Sequence, residues 1–271
     1  MTPDTKTALY GVIGNPIAHS LSPVMHNSAF VETGYNGAYL AFHVTDLESA
    51  IAGVRGLGVK GLSVTIPHKV AVMDLLDEID EMAQKIGAVN TVVNRDGRLF
   101  GYNTDCLGAI HALEEKTEIA GKNVLMIGAG GAARAIGFGI LARGGNLTIL
   151  NILEDEGTRL SADLGVPYYH LSEFGRFDYD ILIHTTPVGM SPDVDKMPVD
   201  PEKLQSGKVV MDIIYNPLET KLLSESKKIE CTTVDGVSMF VYQGVAQFEM
   251  WTGVKAPVAT MRSVVLKSLG E

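Results

Sequence analysis

Short apolar runs alternate along this chain with segments in which apolar residues recur at helical spacing. This alternation is typical of α/β layers built around a mostly parallel sheet. The apolar runs of the upstream half predict strands at residues 8–13, 38–44 and 59–65. The periodic stretch 47–57, which Asp46 can cap, predicts a helix, and the periodic residues between 72 and 82, after Pro67, predict another. The upstream half is therefore expected to be a self-contained βαβ-type unit.

Turn chemistry and further apolar runs organise the rest of the chain. Asp96-Gly97 predicts a hairpin turn between strands at 89–94 and 98–102. A helix is predicted from about Thr104, and strands are then predicted at residues 123–127, 146–151, 179–184 and 208–214. Two helices without an intervening strand are predicted at residues 237–251 and 257–269. Because terminal helices often close a domain that began elsewhere, we expect this tail to pack back on the first domain.

A glycine-rich segment, residues 128–134, directly follows the strand at 123–127 and opens a periodic stretch through Ile140. A strand, a glycine turn and a helix N-terminus in this order can cradle a dinucleotide pyrophosphate on backbone N–H groups. A tight turn that needs glycine only for its backbone is the alternative interpretation. We therefore predict an α/β protein of two domains. The predicted bounds are a substrate domain at 1–103, to which 237–271 returns, and a doubly wound Rossmann domain at 104–236.

Composition and charge narrow the class of partner. The chain has 271 residues, of which 46% are apolar and 20% are charged, enough to bury the cores of two modest domains. The formal charge of −10 argues against nucleic acid or an anionic membrane surface as a partner, so a small molecule is the expected ligand. Cys106 and Cys231 have no disulfide or metal spacing, and no apolar leader or membrane span is evident. We expect a cytoplasmic monomer or homodimer without a metal.

Polar residues near predicted strand and helix ends are candidates for ligand binding. Ser20 and Ser22, at a predicted helix start, can bind an anion such as a carboxylate or simply cap the helix. Lys69 lies just past a strand end, where ligands in open α/β sheets usually sit, although a solvated lysine fits the same pattern. Asp105 ends an Asn-Thr-Asp run that by itself predicts a helix cap. The nearby histidines show no metal-site spacing: His19, His26 and His68.

Taken together, several segments resemble the shikimate dehydrogenase family. The segments that carry the resemblance are residues 11–17, 19–23, 26–27, 64–69, 86–91, 101–105, 128–134, 186–190, 212–217 and 235–236, with Met239 and Gln243. They span nearly the whole chain in the order of the family. Because several specific motifs match at once, coincidence is implausible.

The resemblance implies a set of roles, residue by residue. It implies that Lys69 and Asp105 are the catalytic pair. The implied substrate contacts are Ser20, Ser22, Ser63, Thr65, Asn90, Tyr215 and Gln243. The implied cofactor contacts are Gly128, Ala129, Gly130, Gly131, Ala132, Asn151, Glu154, Thr186, Ile213, Gly236 and Met239. The implied activity is the reversible NAD(P)-dependent reduction of 3-dehydroshikimate to shikimate, in chorismate and aromatic amino-acid biosynthesis.

The chain departs from the family pattern at three places. The family commonly has Asn at the position of Ser63 and usually has Asn at the position of His184. Members that use NADP carry an Asn-Arg-Thr motif after the second Rossmann strand, whereas this chain has the acidic loop Glu154-Asp155-Glu156. Acidic side chains repel a 2′-phosphate but accept hydrogen bonds from a ribose diol. Against the family default of NADP, we therefore expect NAD to be used at least as well, although Arg134 or Arg159 could still reach a phosphate.

Other functions fit parts of the same sequence. A quinate/shikimate dehydrogenase that uses NAD is the nearest alternative, because of the acidic loop and Ser63. A ligand-sensing relative without catalysis is less compatible, since Lys69 and Asp105 are both retained. An enzyme of folate one-carbon metabolism shares the two-domain layout but does not explain Ser20, Ser22, Asn90 and Asp105 in their contexts.

Overall fold

The computed structural model describes residues 2–270, which form two compact units. The first unit runs to Thr104 and resumes at Gln243, and the second unit comprises Asp105–Tyr242. Each contains a sheet with helices against it, so the predicted α/β class is confirmed. Within these residues, no helix is both long enough and apolar enough to cross a bilayer.

The first unit is built on one mixed sheet with the strand order β2-β1-β3-β5-β6-β4. Its strands are β1 (Ala8–Gly14), β2 (Gly37–His43), β3 (Gly61–Val64), β4 (Glu78–Ile79), β5 (Thr91–Arg95) and β6 (Arg98–Tyr102). β1 lies parallel to β2 and β3, whereas β5 runs antiparallel to both β3 and β6. Ser63 pairs with Thr91, and Thr91 pairs with Tyr102. The carboxyl ends of β1, β3 and β6 therefore meet the amino end of β5 at one edge, here called the substrate edge.

Helices cover this sheet, and the last of them come from the chain terminus. They are α1 (Ser22–Thr33), α2 (Leu47–Leu57), α3 (Glu81–Ile86), the end of α8 (Gly236–Thr252) and α9 (Val258–Leu269). Asp46 caps α2 as predicted, because its side chain accepts from the Ser49 N–H at 3.0 Å. The helix α9 packs against α1 and buries Met261 and Val265. The predicted return of the tail to the first unit is confirmed.

The prediction of a single helix between residues 72 and 82 is wrong. A short 3-10 helix (Ala71–Leu75), the strand β4 and the helix α3 occupy this stretch instead. Asp77 breaks the helix because its backbone N–H donates to Leu99 O at 2.9 Å while its carboxylate accepts from Leu99 N–H at 2.6 Å. Asp80 then caps α3, with its carboxylate 2.9 Å from Met82 N. Aspartates that bind backbone N–H groups outcompete the helix that the apolar spacing alone predicts.

The second unit has a parallel sheet with the order β12-β11-β10-β7-β8-β9. Its strands are β7 (Asn123–Ile127), β8 (Asn146–Asn151), β9 (Tyr168–His170), β10 (Ile181–His184), β11 (Val209–Asp212) and β12 (Thr232–Val234). Its helices are α4 (Thr104–Glu114), α5 (Gly131–Ala142), α6 (Glu154–Leu164), α7 (Lys221–Lys228) and the start of α8. The strand order reverses between β7 and β10. Ligands of open α/β sheets bind outside the carboxyl ends of the strands at such a reversal.

Alternate residues of these strands bury on opposite faces of the sheet. Met126 and Ile183 belong to one apolar cluster, whereas Leu125, Ile127 and Leu182 belong to another. Successive side chains of a strand point to opposite faces, so a strand that is buried on both faces is mostly apolar along its length. This explains why the continuous apolar runs of the sequence predicted these strands.

Candidate functional site

The substrate edge of the first unit gathers most of the predicted substrate residues. Ser20 and Ser22 follow β1, Thr65 and Lys69 follow β3, and Asn90 directly precedes β5. Ser63 lies inside β3, and Gln243 lies on α8 with only 8% of its surface exposed. The remaining two residues, Asp105 at the start of α4 and Tyr215 after β11, belong to the second unit.

The two serines lie where β1 gives way to α1. Ser22 is the first residue of the helix and is buried, and its N–H donates to Ser20 Oγ at 3.3 Å. The residue before the helix, Leu21, has no capping side chain. Because Ser22 N–H is committed to Ser20 Oγ and Pro23 has no N–H, an anion here would bind mainly to the two serine hydroxyls. This end of α1 can therefore receive a carboxylate.

The loop from Thr65 to Lys69 is held by backbone hydrogen bonds. Thr65 N–H donates to Ile13 O at 3.0 Å, and Val89 N–H donates to Lys69 O at 2.8 Å. The buried ring of His68 adds a bond between Nε2 and Val44 O at 3.0 Å. The half-buried side chain of Lys69 is therefore attached to a backbone that hydrogen bonds hold on both sides.

Asn90 is oriented by a buried network. Its side-chain oxygen Oδ1 accepts from Thr104 N–H at 2.7 Å, from Thr104 Oγ1 at 3.1 Å and from Thr91 Oγ1 at 2.8 Å. Because a backbone N–H can only donate, the oxygen of the amide must face Thr104. The Nδ2 group is thereby turned away from this network and offers its two N–H donors to a ligand.

Ser63 is engaged on two sides. Tyr39 Oη lies 2.6 Å from Ser63 Oγ, and Ser63 Oγ lies 2.7 Å from Gln247 Oε1. Gln247 Nε2 donates to Asn90 O at 3.3 Å and to Thr91 Oγ1 at 2.9 Å, which fixes its oxygen toward Ser63. Ser63 must then donate its only proton to Gln247 and accept from Tyr39. Toward a ligand, the Ser63 hydroxyl can only accept.

The sequence interpretation missed Tyr39, Thr91, Thr104 and Gln247 in this network. One signal was available, because Gln247 follows Gln243 by four residues on a predicted helix, which places both amides on one face. The other three residues offered no signal that separates them from ordinary strand and cap residues.

His26 lies fully buried beneath this network. Its ring stacks on Tyr39 at a centroid distance of 4.5 Å, and neither ring nitrogen has a hydrogen-bond partner among residues 2–270. Burial lowers the pKa of His26 from 6.5 to about 3, an effect that the nearby Gln247 amide opposes only in part. The folded protein therefore holds this ring neutral at every pH near neutrality.

We expect His26 to make folding stability depend on pH. Between about pH 6.5 and pH 3 the unfolded chain binds a proton at His26 and the folded chain does not, so stability is full above pH 6.5 and falls as the pH drops. From pH 7.5 to pH 5 this loss is about 2 kcal/mol. Urea unfolding of the wild type and His26→Phe at both pH values measures it. The variant should lose about 2 kcal/mol less, and parallel losses would contradict the prediction. His19→Gln, which removes an exposed histidine, is the control.

The glycine turn of the second unit combines one constrained position with two open ones. Gly128 has φ +117°, and its N–H donates to Leu150 O at 2.8 Å. No side chain caps α5, which begins after Gly130. A Cβ placed on Gly130 or on Gly131 would meet no atom within 4 Å. The amino end of α5 therefore presents uncapped N–H groups to open space, as an anion site at a helix start requires.

A cavity of about 300 Å³ lies beside this turn, between α5 and α6. It is lined by Ala129, Gly130, Gly131, Arg134, Glu156, Arg159, Leu160 and Asp163. Arg134 forms an ion pair with Asp163. Of the three consecutive acids in the sequence, Glu156 is the one that lines the cavity.

The acidic residues after β8 do not form a loop, which corrects the sequence interpretation. Glu154, Asp155 and Glu156 are the first turn of α6, and Leu153 precedes them without a capping side chain. Acidic residues in a first helical turn offset the helix dipole, so they also stabilise the helix. Asn151 is buried, and its Nδ2 donates to Leu153 O at 2.9 Å. Ile152 is 62% exposed.

The other predicted cofactor residues lie at or near the strand reversal. Thr186 follows β10 and Ile213 follows β11, while Ala132 lies in the first turn of α5. Gly236 lies so close to the Ile213 and Ile214 backbone that a Cβ would overlap it. Met239 is buried in the apolar cluster that also contains α5 residues. Burial raises the pKa of the Tyr215 hydroxyl, whose ring packs against Phe240 at 5.3 Å.

Two family models match separate segments of the chain, and known proteins match nearly its whole length. Residues 12–92 match the family model of the shikimate dehydrogenase substrate binding domain, and residues 236–266 match that of the shikimate 5′-dehydrogenase C-terminal domain. A shikimate dehydrogenase (NADP(+)) of Geobacillus kaustophilus is 48% identical, with 96% of this chain and 98% of that protein covered.

Solved structures resemble this chain over nearly its full length. The crystal structure of a shikimate dehydrogenase in complex with NADP+ superposes with a TM-score of 0.94 at 42% identity, covering 100% of this chain and 98% of that one. A shikimate 5-dehydrogenase from Listeria monocytogenes, in complex with shikimate and NAD, gives a TM-score of 0.92 at 32% identity, covering 98% of each chain.

Proposed function

The chain belongs to the shikimate dehydrogenase family, and from this premise we propose that it interconverts 3-dehydroshikimate and shikimate with a nicotinamide dinucleotide. This reaction would be a step toward chorismate and the aromatic amino acids. The observation that carries the proposal is the substrate edge, where the serines at the start of α1, the Asn90 donors and Lys69 lie at the ends of neighbouring strands. The first unit would bind the substrate, and the second unit would bind the cofactor at its glycine turn.

The substrate side uses groups of fixed polarity. The substrate carboxylate would lie at the start of α1, with Ser20 and Ser22. Ring hydroxyls would accept from Asn90 Nδ2 and donate to Ser63 Oγ, whose own proton is already given to Gln247. Thr65, Tyr215 and Gln243 would complete the contacts. A ligand that placed an acceptor against Ser63 Oγ would find no proton there, and a buried acceptor without a donor is costly.

The chemistry requires a hydride and a proton. When bound, the reduced nicotinamide supplies the hydride to the carbonyl carbon. Negative charge then develops on the carbonyl oxygen, and the Lys69 ammonium would stabilise that oxygen and protonate it to give the hydroxyl. Asp105 would orient Lys69 and balance its charge. In the opposite direction, neutral Lys69 would remove the hydroxyl proton as the hydride leaves.

The proposal is tested by initial rates of shikimate oxidation with NADP and with NAD, repeated with quinate. Turnover confined to shikimate supports the proposed enzyme. Comparable turnover of quinate with NAD supports the second candidate, a quinate/shikimate dehydrogenase, which the acceptor-only Ser63 hydroxyl in place of Asn favours. If neither substrate is oxidised, a non-catalytic relative is supported instead.

We further propose that NAD serves at least as well as NADP, in contrast to the NADP named for the Geobacillus relative. Ile152, directly after β8, is exposed and uncharged, and Glu156 in the cavity lining is acidic. Arg134, the basic residue nearest the glycine turn in that lining, is paired with Asp163. Arg159 is the remaining cavity residue that could meet a 2′-phosphate.

We expect kcat/KM with NAD to equal or exceed that with NADP, and a hundredfold preference for NADP would defeat the argument. Glu156→Arg should raise kcat/KM with NADP about tenfold, because an arginine can pair with the 2′-phosphate. Asp155→Arg makes the same charge change in the same helical turn but outside the cavity lining. It is the matched control and should alter the cofactor ratio much less. If both variants raised kcat/KM with NADP equally, the gain would come from the change in net charge and not from contact with the 2′-phosphate.

A further inference from the structure

Two neighbouring strands of the second unit end on a buried pair that the proposed reaction does not use. His184 is the last residue of β10, Asp212 is the last residue of β11, and the two are partners in the parallel register. Both side chains are 0% exposed. A carboxylate at such depth needs hydrogen-bond donors around it.

Asp212 has these donors, and its carboxylate orients the ring of the histidine. Ile214 N–H donates to Oδ1 at 3.1 Å, and the Thr220 hydroxyl donates to Oδ2 at 2.7 Å. His184 Nδ1 lies 3.1 Å from Oδ1. Because a carboxylate only accepts, Nδ1 carries the proton of this bond. In the neutral ring, Nε2 is then an acceptor.

The acceptor nitrogen engages Thr186. Thr186 Oγ1 lies 2.6 Å from His184 Nε2, so the hydroxyl and the ring share a hydrogen bond. Val188 N–H donates to the same oxygen at 3.4 Å. A Cβ placed on Gly128 would lie 3.0 Å from Thr186 Cγ2. The Thr186 hydroxyl is therefore held inside the protein while its methyl group borders the glycine turn.

We propose that His184 is a positioning residue for dinucleotide binding: anchored by Asp212, it locks Thr186 so that the methyl group forms one wall of the glycine turn. The proposal rests on the proposed function, because it requires a dinucleotide at that turn. Asparagine, the usual family residue here, can replace the bond from Nδ1 to Asp212 but is too short to replace the bond to Thr186. The lock on Thr186 thus depends on histidine.

A double-mutant cycle tests this lock without relying on turnover. The dissociation constants of NAD and NADP are measured by calorimetric titration of wild type, His184→Asn, Thr186→Val and the double variant. His184→Asn should weaken binding of the better dinucleotide about fivefold, the value of one ordinary hydrogen bond. The double variant should lose little more than either single variant. His184→Gln, which places a polar atom near the position of Nε2, should bind closer to wild type than His184→Asn.

Kinetics and a control variant separate positioning from simple loss of stability. KM for the dinucleotide should rise while kcat and KM for shikimate stay within about twofold. Ser226→Ala removes another buried hydroxyl of the second unit, which donates to Leu222 O at 2.7 Å, and should leave dinucleotide binding unchanged. Unchanged binding in His184→Asn, or fully additive losses in the double variant, would overturn the proposal. If wild type binds a dinucleotide but does not oxidise shikimate, the proposed reaction fails, and the cycle still decides the role of His184.

Discussion

Lys69→Ala is expected to lower kcat for shikimate oxidation by about 10³-fold or more, with little change in the affinity for shikimate. The ammonium acts on charge that develops only as the hydride moves, so its removal affects the transition state more than the bound substrate. The loop backbone around Lys69 is held by bonds that do not involve the side chain, including Val89 N–H to Lys69 O, so the fold should persist. Steady-state kinetics and a shikimate titration measure both effects.

Two variants serve as controls for this prediction. Lys69→Arg keeps a positive charge but cannot release a proton at neutral pH, so shikimate should still bind while turnover stays low. Lys60→Ala removes an exposed lysine of the same unit and should be indistinguishable from wild type. Near-normal turnover of Lys69→Ala would remove Lys69 from the mechanism.

Gly128→Ala is expected to destabilise the protein by about 3 kcal/mol and to abolish dinucleotide binding. Gly128 has φ +117°, a conformation that L-residues with a Cβ rarely adopt. The added methyl group would overlap Thr185 Oγ1 and would lie 3.0 Å from Thr186 Cγ2. Strain and crowding therefore act together, and denaturant unfolding measures their sum.

The neighbouring Gly131 provides a matched substitution with the opposite effect on stability. It is exposed, it begins α5, and a Cβ there would meet no atom within 4 Å. Gly131→Ala should stabilise the protein by about 0.5 kcal/mol, because alanine favours the helix. If a pyrophosphate lies against this backbone, the same variant should raise the dinucleotide KM about tenfold. Equal destabilisation by the two substitutions would contradict the strain argument for Gly128.

The fold was predictable wherever one local cause decided the structure. The central strands β7 and β10 of the second unit contain continuous apolar runs because both of their faces are buried. Asp46 and Asp96-Gly97 place a cap and a turn by local chemistry. The failure at residues 72–82 has a different cause. Asp77 forms its bonds with Leu99, 22 residues along the chain, and apolar spacing carries no information about that partner.

In the candidate site, too, the residues could be nominated locally, whereas their orientation depends on other parts of the chain. Motifs could nominate Asn90 and Ser63, whose roles stay predictions, but not the direction in which either side chain donates. For Ser63 that direction depends on Gln247, which lies 184 residues away in the sequence, and for Asn90 it depends on the backbone N–H of Thr104. The acidic residues after β8 were placed in a loop because charge dominated the pattern, whereas their position in the first turn of α6 reflects the helix dipole.

The split course of the first unit has a consequence for how the protein is made. Gln247 bonds to Ser63, Trp251 Nε1 donates to Val92 O at 3.0 Å, and α9 packs on α1. These contacts cannot form on the ribosome until the last residues have been translated, whereas the second unit is complete in sequence at Tyr242. Domains generally fold as units during synthesis. The unit that begins first in the sequence is therefore the last to have all of its residues available for folding.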